Sequence, residues 1–205
     1  GLDRKRVEGI VEDALSGADD GELFLEYSQS EAISLDDGRI RSASFDTAQG
    51  FGLRAISGDA VGYAHASELS EEAVERAADT VRVVHSGRGG TLAEPPKGTN
   101  RSLYSDENPL GGFTFEDKVG LLSEIDAYAR SRDPRVKQVS ASISGEWQAV
   151  QILRGDGHRV GDIRPLVRVN VSVVVGQGDR MESGSHGAGG RVGFAAFFDT
   201  GAWQA

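Results

Sequence analysis

Residues 166–176 read LVRVNVSVVVG and carry the most regular pattern in the chain. Valines occupy every second position of this stretch, at Val167, Val169, Val171, Val173 and Val175. Arg168, Asn170 and Ser172 stand between them. Because successive side chains of a strand point to opposite faces, the stretch predicts a strand with one apolar and one polar face. Such strands are typical of antiparallel sheets that have one face on the core and the other in water.

The first 90 residues predict a helix, a four-strand meander and a second helix. The predicted strands cover residues 22–35, 39–46, 50–56 and 61–65. Asp37-Gly38 stands between the first two strands, and Ser57-Gly58-Asp59 stands between the last two. These residue types favour the positive φ angles of tight hairpin turns. Short turns between consecutive strands indicate antiparallel pairing.

Three segments have the apolar spacing of amphipathic helices. The first covers residues 3–16, and the second follows a predicted N-cap at Ser70 and ends near residues 85–87. A third helix is predicted between Thr114 and Asp133-Pro134. Its predicted buried stripe is formed by Phe115, Val119, Leu122, Ile125 and Ala129. The predicted fold class is therefore α+β, with antiparallel strand meanders and long helices packed on one face.

A stretch without periodicity separates the two halves of the chain. Residues 87–100 contain two adjacent glycines and two adjacent prolines, which are typical of connectors. We therefore predict an amino-terminal α+β subdomain at 1–90, a linker at 91–113 and a second α+β segment at 114–205. The second segment contains the long hairpin that follows the third helix.

Composition narrows the possible partners and the compartment. The chain has 205 residues and a formal net charge of −10, which repels phosphate backbones, so we expect no nucleic-acid partner. It contains no cysteine, which excludes disulfides, thiolate zinc sites and cysteine nucleophiles and favours a cytoplasmic location. Its apolar runs are only a few residues long, so we expect no membrane-spanning segment.

The sequence offers no self-contained catalytic or metal centre. Helical zinc sites need two histidines one turn apart, whereas His65, His85, His158 and His186 are widely separated. His65 and Glu68 are three positions apart, but they fall at the end of a predicted strand and in a turn. Ordinary structural roles are expected for both. We predict no catalytic residue and no metal ligand in this chain.

The glycine-rich run SGSHGAGGR at 183–191 is the candidate substrate-binding element. Glycines let a backbone approach another chain closely and leave N–H groups accessible for hydrogen bonds. The candidate residues are Ser183, Gly184, Ser185, His186, Gly187, Gly189, Gly190 and Arg191. A flexible connector is the alternative interpretation of the run. An independent hydrolase that uses Ser185 or His186 is a weaker hypothesis, because the run lacks one glycine of the nucleophile elbow.

Residues 192–205 predict the start of a helix that carries a phenylalanine cluster. Phe194, Phe197 and Phe198 lie close together in this segment. We expect them to form an exposed apolar patch unless a partner surface covers them.

Four stretches resemble the TldD/PmbA family, once called modulators of DNA gyrase. They are LDDGRI at 35–40, QGFGLRAISGD at 49–59, DIRPLVRVNVSV at 162–173, and RMESGSHG with the glycines and arginine that follow it at 180–191. The last two stretches are similar to the TldD branch in particular. The similarity covers essentially all 205 residues in order.

This resemblance implies a zinc-dependent peptidase that recognises the main chain of an extended peptide. It also implies that the protein pairs with a TldE/PmbA-like subunit or with a second copy of itself. The family's His-Glu-x-x-x-His metal motif belongs to the carboxy-terminal half and does not occur in this chain. Zinc is therefore expected only in the full-length protein, and this segment is expected to stop short of the catalytic domain.

Two hypotheses about function follow from the resemblance. In the first, the chain is the amino-terminal, non-catalytic half of a TldD-like metallopeptidase, inactive alone, which contributes to subunit assembly and to the peptide cavity. In the alternative, it is a protein-binding regulatory module that acts on a partner such as DNA gyrase, without catalysis.

Overall fold

The structure, a computed structural model, describes residues 2–85, 90–91, 93–94, 103–198 and 203–204. Its helices are α1 (Arg4–Ala14), α2 (Glu71–His85), α3 (Phe115–Arg132) and α4 (Ala195–Phe198), with a 3-10 turn at Pro109–Gly111. Its strands are β1 (Asp20–Asp36), β2 (Arg39–Ser57), β3 (Ala60–Ala66), β4 (Val136–Arg154), β5 (Arg159–Gln177) and β6 (Arg180–Gly190). Residues 95–102 of the predicted linker lie outside the described ranges.

The six strands form one antiparallel sheet in the order β3-β2-β1-β4-β5-β6. β3 pairs with residues 51–57 of β2, and β6 pairs with residues 167–177 of β5. β6 is therefore an edge strand along its whole length. Because the pairing of β3 ends opposite Phe51, residues 39–50 of β2 form a second edge.

The predicted α+β class with antiparallel strands is confirmed, but strands dominate the architecture. β2, β4 and β5 each have 19 residues, whereas α1 and α2 have 11 and 15. Only α3, with 18 residues, approaches that length. None of the helices in the described ranges combines the length and the apolar character that a membrane crossing needs.

The meander of residues 20–66 has three strands, so the prediction of four was wrong. The turn at Asp37-Gly38 is confirmed, with φ angles of 47° and 73° that favour these two residue types. The predicted break between residues 46 and 50 is absent, because β2 runs without interruption from Arg39 to Ser57. Gly50 does not have a positive φ angle and continues the strand, so the glycine does not mark a turn.

Both predicted N-caps are confirmed by hydrogen bonds at the start of their helices. The Ser70 hydroxyl accepts from the Ala73 N–H at 3.1 Å. The Thr114 hydroxyl accepts from the Asp117 N–H at 3.1 Å, and the Asp117 carboxylate accepts from the Thr114 N–H at 2.9 Å. This reciprocal pair is a capping box, and its bonds from Thr114 hold the pKa of Asp117 below its ordinary value.

Asp133 ends α3 and is held by the residue two positions later. Arg135 donates to its carboxylate from Nε at 3.0 Å and Nη2 at 2.6 Å, and also from its backbone N–H at 2.8 Å. These bonds favour the ionised form and lower the pKa of Asp133 from 3.8 to about 2. Because the folded pKa is the lower one, the stabilisation is fully present above pH 3.8 and is lost as the pH falls toward 2.

We therefore expect Arg135→Gln to return the pKa of Asp133 toward its ordinary range. Carboxyl NMR titration measures the shift directly. The urea midpoint of the variant should lie below that of the unaltered chain above pH 3.8, and this difference should shrink as the pH falls toward 2. Arg132→Gln is the control, because Arg132 lies over the Tyr128 ring and makes no bond to Asp133. A low Asp133 pKa that persists in Arg135→Gln would contradict this account.

Two compact units are distinguished by their internal contacts. The first comprises residues 1–28, 48–102 and 149–162, and the second comprises residues 29–47, 103–148 and 163–205. Four of the strands contribute to both units. The predicted division of the chain into 1–90, 91–113 and 114–205 stays a prediction.

The core of the first unit lies between α1, α2 and one face of its strands. α1 contributes Val7 and Val11, and α2 contributes Val74 and Val81, all buried. Leu53 of β2 is also completely buried in this cluster. Arg6 forms salt bridges to Glu71 and Glu75 across the solvent side of the two helices. The apolar residues whose spacing predicted α1 and α2 thus lie in the core of the first unit.

In the core of the second unit, α3 packs against the apolar faces of β1, β4 and β5. Leu122 and Ile125 of the predicted stripe are buried, whereas Phe115 is 43% exposed, so its predicted burial was wrong. Lys118, three positions later on α3, is instead only 2% exposed. Its amine is bound by Glu31, and this partner was not visible in the sequence pattern.

The phenylalanine cluster near the end of the chain belongs to this second core. Phe194 and Phe197 are 2% and 6% exposed, and Phe198 stacks on Phe113 with ring centroids 3.9 Å apart. The expectation of an exposed apolar patch was therefore wrong. α4 turns the cluster inward, where it packs on residues such as Leu110 and covers the unit itself.

Candidate functional site

The glycine-rich run is a strand, and this position defines the candidate site. Residues 183–190 lie in β6 and pair in regular register with β5, from Ser183 opposite Val174 to Gly190 opposite Val167. The connector interpretation was therefore wrong for these residues. Nearly all of β6 is exposed, and no other strand of the described residues pairs with its outer side. That side offers a row of backbone N–H and C=O groups to a further strand.

Two of the glycines have close neighbours on β5, which are side-chain ends at Gly187 and a backbone oxygen at Gly189. A Cβ atom on Gly187 would lie 2.5 Å from Asn170 Oδ1 and 3.2 Å from Arg168 Nη2. A Cβ atom on Gly189 would lie 2.6 Å from the Val167 carbonyl oxygen. The missing side chains let the polar side chains of β5 lie across β6 toward its outer edge.

A hydroxyl-rich cleft of about 530 Å³ lies on the polar face of the second unit. Its lining includes six serines, at Ser34, Ser42, Ser140, Ser142, Ser172 and Ser185. Asp36, Arg41, Arg168 and Asn170 add charged and amide groups. Of the predicted substrate-binding residues, the cleft brings together Ser185, His186 and Gly187. Ser183, Gly184, Gly189, Gly190 and Arg191 are not part of its lining.

The charged side chains that line this cleft differ in whether they have partners. Asp36 accepts hydrogen bonds from Ser140 Oγ at 2.6 Å and from Gln138 Nε2 at 3.0 Å. These bonds, with a smaller effect of the Arg41 charge, hold the pKa of Asp36 below its ordinary value. Arg168 Nε donates to Asn170 Oδ1 at 2.8 Å, but its guanidinium has no carboxylate partner among the described residues.

Ser185 and His186 do not form a nucleophile and base pair. The register places Ser185 opposite Ser172 and His186 opposite Val171. Adjacent residues of a strand point to opposite faces, so the hydroxyl and the imidazole diverge. The geometry of β6 therefore does not favour the independent hydrolase hypothesis.

Arg191 follows the last residue of β6 and packs on its own unit. Its guanidinium lies 5.1 Å from the centroid of the Tyr104 ring, a cation–π distance. Its Nη1 also donates a long hydrogen bond of 3.5 Å to the Pro165 carbonyl oxygen. Arg191 thus fixes the end of β6, and the structure gives it no place in the cleft.

The described residues provide no ligand set that fits zinc. No group of three or more His, Asp or Glu side chains in the described ranges is close enough to hold a metal ion. Glu68 accepts from the Ser70 hydroxyl at 2.5 Å and forms a salt bridge with Arg76, so it supports the start of α2. The side chain of His85 lies outside the described part. We derive no metal-dependent step from the residues of this chain.

Several cleft residues were not among the predicted site residues. The alternation of residues 166–176 predicted the polar face for Arg168 and Asn170, and this was the signal that could have found them. Asp36 appeared only within the LDDGRI stretch at 35–40. The free edge of β2, with Phe45 59% exposed, was also missed, because it follows from the short length of β3.

Comparison with protein families assigns the two halves of the chain. Residues 21–90 match the family model described as PmbA/TldA metallopeptidase domain 1, and residues 108–204 match the central domain of the same metallopeptidase. The chain belongs to the PmbA/TldD family. The four stretches that resemble the family lie on β1, β2, β5 and β6. They also include residues of the turns that follow β1, β2 and β6.

Curated relatives place this PmbA/TldD chain near the TldD branch. It is 38% identical over 184 residues to the metalloprotease TldD homolog of Haemophilus influenzae. It is 33% identical over 180 residues to the TldD homolog of Buchnera aphidicola from Schizaphis graminum. These alignments cover 88% and 87% of the chain but only 38% and 37% of the relatives. The chain thus spans well under half the length of the relatives it matches.

Solved structures share the fold of this PmbA/TldD chain. TldE from Thermococcus kodakarensis superposes with a TM-score of 0.72 at 18% identity, over 91% of this chain and 43% of that one. A protein from Bacteroides thetaiotaomicron described as a modulator of DNA gyrase gives a TM-score of 0.73 at 16% identity, over 92% and 45%. At these identities the similarity concerns the fold alone.

Proposed function

We propose that this chain is a non-catalytic part of a TldD-like metallopeptidase and binds an extended peptide along the outer edge of β6. The metal and the catalytic residues would come from elsewhere in the enzyme. The similarity to the metalloprotease TldD homologs supports the enzyme class. The enzyme would assemble with a TldE/PmbA-like subunit.

The observation that carries the proposal is the position of the glycine-rich run. β6 is an edge strand with exposed backbone, and a peptide strand can pair with such an edge through main-chain hydrogen bonds. The cleft beside Ser185 and Gly187 gives room for side chains on the polar face. Recognition of this kind depends on the peptide backbone, so it allows peptides of different sequence to bind.

A backbone-methylated peptide tests this binding mode. The probe is a fluorescein-labelled heptapeptide, Thr-Val-Thr-Gln-Thr-Val-Thr, compared with the same peptide methylated at its three central amide nitrogens. Methylation removes donors on both edges of the peptide while its side chains remain. Each lost hydrogen bond is worth about 0.5–1.5 kcal/mol, so affinity should fall by about tenfold or more. Fluorescence anisotropy with this chain measures both affinities.

Equal affinities for the two peptides would overturn strand addition as the binding mode. Absence of saturable binding at millimolar peptide would remove the proposal that this chain lines the peptide cavity. A peptide with D-residues at alternate positions is a further control, because it keeps every amide donor but cannot place its side chains as an L-strand does. The peptide with D-residues should bind poorly, like the methylated peptide.

A further inference from the structure

We propose that Arg168 makes the β6 edge selective for peptides that carry a carboxylate side chain opposite Gly187. The inference rests on the proposed binding of a peptide at β6, and it adds a side-chain preference to that backbone recognition. Arg168 would act as a specificity-determining residue, with no part in bond cleavage.

The direction of the Arg168 side chain is the first observation. Arg168 lies opposite Gly189, and Asn170 lies opposite Gly187, with all four on the polar face of the hairpin. Arg168 Nε donates to Asn170 Oδ1 at 2.8 Å, which fixes the plane of the guanidinium. Its Nη2 then lies 3.2 Å from the point where a Gly187 Cβ would be. The guanidinium is therefore held over β6, the last strand before the free edge.

The charge of Arg168 is the second observation. The formal net charge is −10, and arginines such as Arg54 and Arg180 have carboxylate partners at 2.9 Å. Arg168 is exposed and has no such partner among the described residues. A guanidinium presents several N–H donors in one plane, and its preferred complement is a carboxylate that accepts two of them.

The geometry of strand pairing brings a peptide side chain to this group. The residue that pairs with Gly187 on an added strand has its Cβ about 5 Å from the Gly187 position, on the same face. With no side chain on Gly187, nothing on β6 separates that residue from Arg168 Nη2. A glutamate has the length to reach across, whereas a glutamine lacks the charge and a lysine is repelled.

The test compares three heptapeptides of the Thr-Val-Thr-X-Thr-Val-Thr series, with X as Glu, Gln or Lys. An ion pair at an exposed site is modest, so we expect the Glu peptide to bind about two- to fivefold more tightly than the Gln peptide. The Lys peptide should bind most weakly. The preference should shrink as salt is raised, because exposed charges are screened.

Variants of the chain assign the preference to its source. Arg168→Gln should reduce the ratio of Glu to Gln affinity to about one while the Gln peptide binds as before, and Arg168→Lys should keep part of the ratio. Arg132→Gln is the matched control, since Arg132 is an exposed arginine of the same unit that lies on α3, outside β6 and the cleft. It should leave the ratio unchanged.

The outcomes separate this inference from the binding proposal. Equal affinities for Glu and Gln peptides, together with a loss on backbone methylation, would overturn the role of Arg168 and leave strand addition standing. A preference for Glu that survives Arg168→Gln would also overturn that role. Failure of every peptide to bind, or indifference to methylation, would overturn both claims.

Discussion

Lys118→Met is expected to lower the free energy of unfolding by about 3–5 kcal/mol. Lys118 is buried in α3, and its amine donates to Glu31 Oε2 at 2.6 Å and to the Leu110 carbonyl oxygen at 3.0 Å. The Glu31 side chain is only 14% exposed. Methionine fills a similar volume but leaves the Glu31 carboxylate in a largely water-free site without its partner. The cost is that of an uncompensated buried charge.

Urea unfolding followed by tryptophan fluorescence measures this loss. The double variant Lys118→Met, Glu31→Met should recover about half of it or more, because it removes both charges and leaves only the Leu110 carbonyl without its donor. Lys5→Met is the control at an exposed site, where changes stay within about 0.5 kcal/mol. A loss below about 1 kcal/mol in the single variant would contradict the burial of this pair.

Phe194→Ala is expected to cost about 3–5 kcal/mol, the range for a buried phenylalanine. Phe194 is 2% exposed, and its ring lies 5.1 Å from the Lys118 amine. The ring is also close to Gly145, where an added Cβ would lie 2.7 Å from its Cζ. Truncation to alanine thus opens a cavity at the centre of the second core and removes a cation–π contact.

Phe45→Ala is the matched control for this prediction. Phe45 belongs to the same unit but is 59% exposed, so its truncation should change stability by about 0.5 kcal/mol or less. If Phe194 instead formed the exposed patch that the sequence suggested, the two variants would behave alike. Similar urea midpoints for the two variants would therefore contradict the inward packing of α4.

Local residue chemistry predicted the hairpins and the helix starts of this chain. Asp37-Gly38 specifies a positive-φ turn without reference to the rest of the fold, and Ser70 and Thr114 cap helices through bonds that span three residues. The alternating valines of residues 166–176 likewise fixed which face of β5 is apolar. Each of these signals acts within a few residues, so the sequence displays it directly.

The failures arose where a distant partner decides the structure. Lys118 is buried because Glu31, 87 residues away in the sequence, neutralises it, and an apolar stripe gives no sign of such a pair. β2 continues through residues 46–50 with β1 beside it, although two separate strands were predicted there. Phe194 turns inward because the second core has room for it, which depends on Gly145.

The resemblance of the glycine-rich run to the TldD branch gave the family, whereas its role in binding substrate stays a prediction. Of the predicted residues, Ser185, His186 and Gly187 line the cleft. Glycine has a low intrinsic preference for strands, so the run did not predict an edge strand. The side chains that lie over Gly187, Arg168 and Asn170, belong to a different strand and became visible only through the register of the β5–β6 hairpin.

Hydrogen–deuterium exchange with and without the Thr-Val-Thr-Glu-Thr-Val-Thr peptide tests the central claim most directly. If the peptide adds as a strand to β6, amides within residues 180–190 should exchange more slowly when the peptide is bound. The free edge at residues 39–50 of β2 should be unaffected, which makes it the internal control. Slower exchange confined to residues 39–50, or no change at either edge with the peptide at saturation, would contradict the assignment of β6 as the peptide-binding edge.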